Sequence, residues 1–428
     1  MNPPARNWAR TLSFAPRRWA RPGDEAELCA LLAAAPAGEP LRVVGSAHSW
    51  SDAAVSEGLL VGLDQLNQIE LLPDGLVKVG AGARLFELNA ALDAAGRALP
   101  ILGTVTAQTV AGAVSTGTHG SSLRHGNLAS LVHGLKLVDH AGRLRELGQD
   151  DPDLPAARVG LGAFGVLTEL TLKTVPAFRL QEVLLPLRWE EAIERLPSLV
   201  EDFEYVKLWW MPHTDEALVF HYTRTDAAPT VPALSRNVDE KLINGVVFTA
   251  LLAVSRFLPA MAPLLNRLVQ AVYFRPQSRV APSFEALTAA MPPIHHEVEH
   301  SIPLVDTVPA LRELRGMIER EGIRVNFPVE ARFGPADDAW MSPSFGRASC
   351  HLGTYIGESP DYKRYFAGCT ERLRALGGRP HWGKELHIDP DTVRRLYPRA
   401  AEFGDRVRTW DPTGRFSNPF LRRILGPP

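Results

Sequence analysis

Three charged side chains late in the sequence have the types and spacing to act together. Glu330-Ala331-Arg332 lies in a run, Pro328 to Phe333, that reads as extended chain. On a strand, residues two apart share a face. A carboxylate and a guanidinium on one face can both hydrogen-bond the hydroxyls of a polyol. Lys384 follows His381-Trp382-Gly383, and a cation there could polarise a substrate oxygen.

Two earlier segments have the composition of a ligand cradle. Val43-Val44-Gly45-Ser46-Ala47-His48-Ser49-Trp50-Ser51-Asp52 follows a short apolar run with a turn of small residues. Such a turn exposes successive backbone N–H groups, which suit a pyrophosphate. Gly103 through Ser122, with Thr109-Val110-Ala111-Gly112-Ala113-Val114-Ser115-Thr116-Gly117-Thr118 at its centre, has few large side chains and many hydroxyls. A flat ligand could lie against its backbone. Taken singly, either segment is equally compatible with a turn in a β-rich core.

Gly160-Leu161-Gly162-Ala163-Phe164-Gly165 spells G-x-G-x-x-G. The dinucleotide fingerprint needs a helix after it, and here the β-rich run Val166 to Val175 follows. A nicotinamide site by that route has no support. The glycines instead let backbone approach a ligand or another strand closely.

The elements that must position these residues read as follows. Leu41 to Gly45, Leu59 to Leu63 and Leu76 to Val79 are short apolar strands. Arg84 to Arg97 is a helix with Leu85, Leu88, Leu92 and Ala95 on one face and Gly96 at its end. Leu131 to Val138, Asp139-His140-Ala141-Gly142 and Leu144 form a hairpin. Beyond Pro176 the chain is richer in Trp, Tyr, Pro and charge. It mixes strands (Tyr205 to Trp210, Ala217 to Tyr222) with helices (Asp306 to Glu321, Asp361 to Leu376). A further helix is expected over Asp391 to Phe403.

Bulk composition narrows the classes. With 428 residues and 45% apolar content, the chain can bury two domains or one large one. A formal net charge of -2 argues against nucleic acid as a partner, since such binders are usually basic. The three cysteines (Cys29, Cys350, Cys369) form no C-x-x-C pair and are expected to be ordinary thiols. His119, His125, His295, His296 and His300 show no ligand framework, so no metal is expected, His295-His296-Glu297 included. The N-terminus has no apolar stretch of the signal-peptide kind, so a cytoplasmic location is expected. The apolar tract Gly245 to Phe274 is broken by Arg256, Pro259, Pro263 and Arg267, and its longest clean run, Gly245 to Val254, is too short to span a bilayer. A buried helical pair is its ordinary reading, and contact with a membrane surface is the sharper one.

Together the motifs resemble the vanillyl-alcohol-oxidase type of FAD flavoprotein. More narrowly, they resemble the sugar-1,4-lactone oxidase group, which includes gulonolactone, arabinonolactone and alditol oxidases. The likeness starts at Asn7-Trp8-Ala9 and runs through V-V-G-S-A-H-S and G-T-V-T-A-Q-T-V-A-G-A-V-S-T-G-T-H-G. It resumes at Pro328-Val-Glu330-Ala-Arg332-Phe333, Asp337-Asp338, Ser342-Pro343 and Gly377-Gly-Arg-Pro-His381-Trp382-Gly383-Lys384, and ends near Asp411 to Phe416.

That resemblance implies an α+β, two-domain flavoprotein oxidase fold. The FAD-binding domain would come from residues 1–178 and 377–428, and the substrate-binding cap from 179–376. It implies FAD attached covalently through His48. Val43, Val44, Gly45, Ser46, Ala47, Ser49, Thr104, Thr109, Gly112, Ala113, Val114, Ser115, Thr116, Gly117 and Val166 would be the other cofactor contacts. Glu330, Arg332 and Lys384 match catalytic and substrate positions, and Thr104 and His351 match substrate contacts. Gly353 replaces a polyol-binding Thr of alditol oxidase, which favours an aldonolactone over an open-chain alditol. Gly103 stands where a small residue accompanies reactivity with O2. The expected reaction passes hydride from a carbinol carbon to flavin N5 and reduces O2 to hydrogen peroxide, with a quinone- or protein-linked dehydrogenase of the same fold as the alternative.

Overall fold

The computed structural model describes residues 4–36, 38–230 and 248–427. Up to Pro176 the chain builds small sheets. In one, Arg18–Ala20, Leu59–Gly62 and Leu41–Val44 lie side by side and parallel. In another, Ile69–Leu71, Leu76–Gly80, Val166–Lys173, Val132–Val138 and Leu144–Leu147 follow in that order and are antiparallel. The expected hairpin joins the last two. Asp139 Oδ1 accepts the amides of Ala141 and Arg143, both at 2.9 Å, and Gly142 takes the left-handed conformation that closes the turn (φ +79°).

Between Arg179 and Pro380 the chain makes one eight-stranded sheet. Its order is Gln277–Pro282, Arg179–Arg188, Glu216–Thr225, Tyr205–Trp210, Val329–Gly334, Ser349–Ile356, His296–Pro303 and Arg379–Pro380. The helices Trp189–Asp202, Thr307–Arg320 and Tyr362–Ala375 cover one face and share its core, with Leu196, Leu311, Leu314, Met317 and Leu373 packed on Val206, Leu208, Ala331 and Leu352. Burying that face turns the alternate residues of the same strands the other way. The free face of the sheet looks back toward the N-terminal sheets.

Two buried arginines tie the parts together. Arg415 donates to the carbonyls of Leu32, Ala35 and His140, locking the C-terminal segment onto the first helix and the hairpin. Arg42 donates to the carbonyls of Ala53, Leu161, Gly162 and Phe416 and, among the described residues, pairs with no carboxylate. Burial draws its pKa down to about 10. This explains the G-x-G-x-x-G run. A Cβ on Gly162 (φ +69°) would meet the Arg42 guanidinium at 3.1 Å, and one on Gly165 would meet the Val138 carbonyl at 2.6 Å. The glycines serve close backbone packing.

Two sequence expectations need adjustment. The helix expected over Asp391 to Phe403 is two helices, Pro390–Leu396 and Ala400–Trp410, because Pro398 cannot continue the first. The apolar tract starts in Gly245 to Val247, which lie outside the described residues. Its remainder forms Thr249–Phe257 and Ala262–Tyr273, which bury only one side; Val254, Phe257, Leu258, Leu264, Leu268 and Val272 are exposed. Among the described residues, no helix is long and apolar enough to cross a membrane. All three cysteines are free thiols.

Candidate active site

The free face of the large sheet and the two cradle segments enclose a cavity of about 220 Å³. His48, Trp50, Gly103, Thr104, Gln108 and Thr118 line it from one side, and Trp209, Glu297, Glu299, Glu330, Arg332 and Tyr355 from the other. His381 and Lys384 close one edge; Phe248, Val269, Tyr273, Phe274 and Phe327 give an apolar wall.

Glu330 and Arg332 share a strand face, as their spacing requires. Trp209 Nε1 donates to Glu330 Oε1 at 2.7 Å, and Tyr355 Oη donates to Oε2 at 2.7 Å. Arg332 Nη2 donates to the same Oε2 at 2.5 Å and to Thr104 Oγ1 at 2.7 Å, so it bridges the sheet and the second cradle segment. Burial works against the charge of Glu330, but Arg332 and Lys207 outweigh it and hold the carboxyl down to about 2. The carboxylate is therefore ionised and held by three donors. It anchors Arg332, and its affinity for a further proton is low.

Lys384 is placed by the turn before it. Trp382 is fully buried and donates to the Met341 carbonyl at 2.6 Å, while Ser51 Oγ donates to the Trp382 carbonyl at 2.6 Å. Trp50 N donates to the Gly383 carbonyl at 2.8 Å. The His-Trp-Gly turn is thus clipped to the loop that carries His48. Lys384 Nζ pairs with Glu297 Oε2 and lies 4.6 Å from the Trp50 ring centroid. Next along the strand, Glu299 takes a hydrogen bond from His119 Nε2 at 2.8 Å, and His119 Nδ1 faces the Gly120 carbonyl at 2.9 Å. Burial opposes the charge of Glu299, and His119 more than offsets it, leaving the carboxyl well below the ordinary range.

The first cradle fits a pyrophosphate on its own geometry. No hydrogen bond among the described residues takes up the amides of Ser46, Ala47, His48 or Ser49. Ala47 turns the chain through the left-handed region (φ +53°). A run of unpaired N–H groups of this kind is an anion site. A Cβ on Gly45 would strike Thr109 Oγ1 at 2.2 Å, so glycine lets the two cradle segments touch. Thr118 lines the cavity, and its buried Oγ1 has no partner among the described residues. His48 is drawn down to about 4, first by burial and then by Arg84, so its ring is neutral and nucleophilic near pH 7.

The structure therefore brings His48, Thr104, Glu330, Arg332 and Lys384 to one cavity. Val43 and Val44 lie on the strand leading in; Gly45, Ser46, Ala47 and Ser49 form the loop. Thr109 caps a short helix, Val110–Ser115, that carries Gly112, Ala113, Val114 and Ser115, with Thr116 and Gly117 just beyond it. Val166 is buried where its strand begins beside Val138. His351 is set back from the cavity: it stacks on His119 at 3.7 Å and pairs with Ser301 at 2.6 Å. Sequence reading missed Trp8, Trp50, His119, Tyr355, and the row His295, Glu297, Glu299. The alternation of that row along a strand was a usable signal.

A loop that offers unpaired amides and a neutral histidine thus faces an arginine and a lysine across a sheet-walled cavity, an arrangement that suits a flavin dinucleotide. Residues 16–148 match the family described as FAD binding domain, and residues 170–424 match the family described as D-arabinono-1,4-lactone oxidase. The chain belongs to the D-arabinono-1,4-lactone oxidase family. It is 33% identical to L-gulono-1,4-lactone dehydrogenase of Mycobacterium tuberculosis, covering 100% of both chains. It is 31% identical to L-gulonolactone oxidase of Bos taurus, over 98% of this chain and 97% of that one. Alditol oxidase of a Streptomyces species is 29% identical over 98% of each. The solved cholesterol oxidase of Brevibacterium sterolicum shares the fold, with a TM-score of 0.81, 16% identity, and coverage of 98% of this chain and 96% of that chain.

Proposed function

We propose that the chain oxidises a carbinol of an aldono-1,4-lactone, with FAD linked covalently to His48 and O2 as the electron acceptor. The observation that carries this reading is the meeting of His48, Arg332 and Lys384 around one cavity. FAD, when bound, would supply the two-electron acceptor, with O2 as the final oxidant and hydrogen peroxide as the product. The chain's own residues bind and orient. Arg332, fixed by Glu330 and Thr104, presents its remaining N–H groups to lactone oxygens. Lys384 polarises the oxygen of the reacting carbon. The unpaired amides of Ser46 to Ser49 hold the pyrophosphate.

Acid precipitation tests the cofactor. Yellow flavin should stay in the wild-type pellet and leave the pellet of His48→Ala; flavin released from the wild type would refute the link. A screen of aldonolactones and alditols with peroxide detection tests the substrate and acceptor. The name of the mycobacterial relative supports a second reading, in which a quinone or protein accepts the electrons. The exposed apolar side of the Thr249–Tyr273 helices would then suit contact with a membrane surface. Dye reduction without peroxide, together with sedimentation on liposomes, would favour it.

A further inference from the structure

We propose that His295 is the residue that accepts the proton of the substrate hydroxyl, with Glu297 balancing the charge it gains; this rests on the oxidation of a lactone carbinol proposed above. Both side chains line the cavity and are buried, at 3% and 1% exposure. His295 Nδ1 faces the Pro293 carbonyl at 2.7 Å. A carbonyl only accepts, so Nδ1 carries the ring proton and Nε2 is left as a bare acceptor. Among the described residues, Nε2 has no hydrogen-bond partner, and neither has Glu297 Oε1. Nε2 lies 3.7 Å from Glu297 Oε2, the oxygen that Lys384 holds.

The ring is also fixed in place. Trp8, Trp50, Phe327 and Tyr355 surround it at centroid distances of 5.4, 5.2, 4.8 and 5.4 Å. Trp50 Nε1 donates to its backbone carbonyl at 2.9 Å. Buried polar atoms normally find partners. Two orphans side by side, on residues that line a cavity, are what a site missing its ligand looks like.

The other charged groups of the cavity are already committed. Glu330 takes three donors, and Glu299 is paired with His119. Arg332 and Lys384 are donors and not acceptors. In the step, the C–H bond breaks with its electron pair passing to the flavin, the O–H bond breaks with its proton passing to His295 Nε2, and the C=O bond forms. Glu297 then faces an imidazolium, and the proton leaves to solvent after product release. Burial opposes the charge on Glu297, and Lys384 and His295 together outweigh it, so the carboxyl is held below its ordinary range and stays ionised for that role. The titratable groups facing the ring are Glu297 on the strand that begins just after it, Lys384 from the C-terminal return, Tyr355 on the next strand and His48 across Trp8.

The test uses flavin-loaded wild type, His295→Gln and Glu297→Gln, each checked for flavin content and thermal midpoint. L-gulono-1,4-lactone is mixed anaerobically, and flavin bleaching and lactone affinity are measured separately. The expected result for His295→Gln is a limiting rate lower by about 10²- to 10⁴-fold, the usual size of general-base catalysis. Lactone affinity should stay within about threefold, and the fall of the wild-type rate at low pH should vanish. A variant that loses affinity and rate together, or keeps both rate and pH limb, overturns the proposal while leaving the lactone reading intact. If His295→Gln does not fold, an undiminished rate in Glu297→Gln overturns it equally. A wild type that no aldonolactone or alditol bleaches overturns both.

Discussion

Arg332 Nη2 donates to Glu330 Oε2 at 2.5 Å while the same nitrogen reaches Thr104 Oγ1 at 2.7 Å. The pair is buried, with side-chain exposures of 14% and 5%. Breaking a buried pair from one side leaves an uncompensated charge and costs about 3–5 kcal/mol. Glu330→Ala should therefore lower the unfolding free energy by that order and free Arg332 from its position. Glu330→Gln keeps the shape and the Trp209 contact, so it should fold better than Glu330→Ala while still losing lactone affinity. Urea unfolding and lactone binding measure the two effects. Equal stability of both variants with wild type would remove the anchoring role.

The same residue sets a pH dependence. The folded-state pKa of Glu330 lies at about 2, below its ordinary 4.5, so its contribution is present above pH 4.5 and lost as pH falls toward 2. Each unit is worth about 1.4 kcal/mol, which makes the contribution about 3 kcal/mol. Wild type should lose stability across that window, and Glu330→Gln should lose about 3 kcal/mol less. Denaturant midpoints at pH 5 and pH 3 for both proteins are the check, with about 2 kcal/mol of the difference expected by pH 3, which still lies above the folded-state value; parallel losses would count against it.

The strands and helices that position the site were largely legible because they carry strong periodicity. The Leu41 and Leu59 strands, the Tyr205 strand and the Thr307 and Tyr362 helices all stand close to where the pattern puts them. Glu330 and Arg332 share a face because two-residue spacing on a strand demands it. What stayed hidden depends on contacts distant in sequence. Nothing local says that Arg42 fills the space beside Gly162, or that Trp50 and Trp382 clip two loops together. The row His295, Glu297, Glu299 reads locally as a polar strand, and only the sheet order puts it beside Lys384. His351 shows the opposite case: its position in the strand was clear, but His119 stands between it and the cavity.

Lys384 should be needed for turnover and dispensable for holding flavin. Its backbone is fixed by the buried Trp382 turn, so Lys384→Met should leave that turn in place. Loss of one preorganised donor typically lowers the rate by about 10²- to 10³-fold. Flavin absorbance and anaerobic bleaching by lactone distinguish the two functions. Unchanged bleaching would remove Lys384 from the chemistry.

Arg42 is predicted to be a structural keystone. It satisfies four carbonyls from three separate segments, and hydrogen bonds to charged groups contribute about 1.5–3 kcal/mol each. Arg42→Met should destabilise the protein by at least about 3 kcal/mol and lower its flavin content. Arg42→Lys should not restore it, because an ammonium lacks the planar fork that reaches four acceptors. Thermal unfolding of both variants decides the matter; rescue by lysine would show that charge alone suffices.

Gly103 offers a test of the electron acceptor. A Cβ there would meet Thr118 Cγ2 at 2.7 Å, so Thr118, which is branched and buried, must give way. Thr118 and Gly103 both line the cavity. If Gly103 keeps a path open for O2, Gly103→Ala should lower peroxide formation by about tenfold, a barrier change of about 1.4 kcal/mol, while dye reduction changes far less. If Gly103 serves packing alone, the displaced Thr118 should disturb the cavity for every acceptor, and both rates should fall together with the thermal midpoint. The ratio of the two rates separates these cases even when both decline, because a packing defect acts before the electrons leave the substrate.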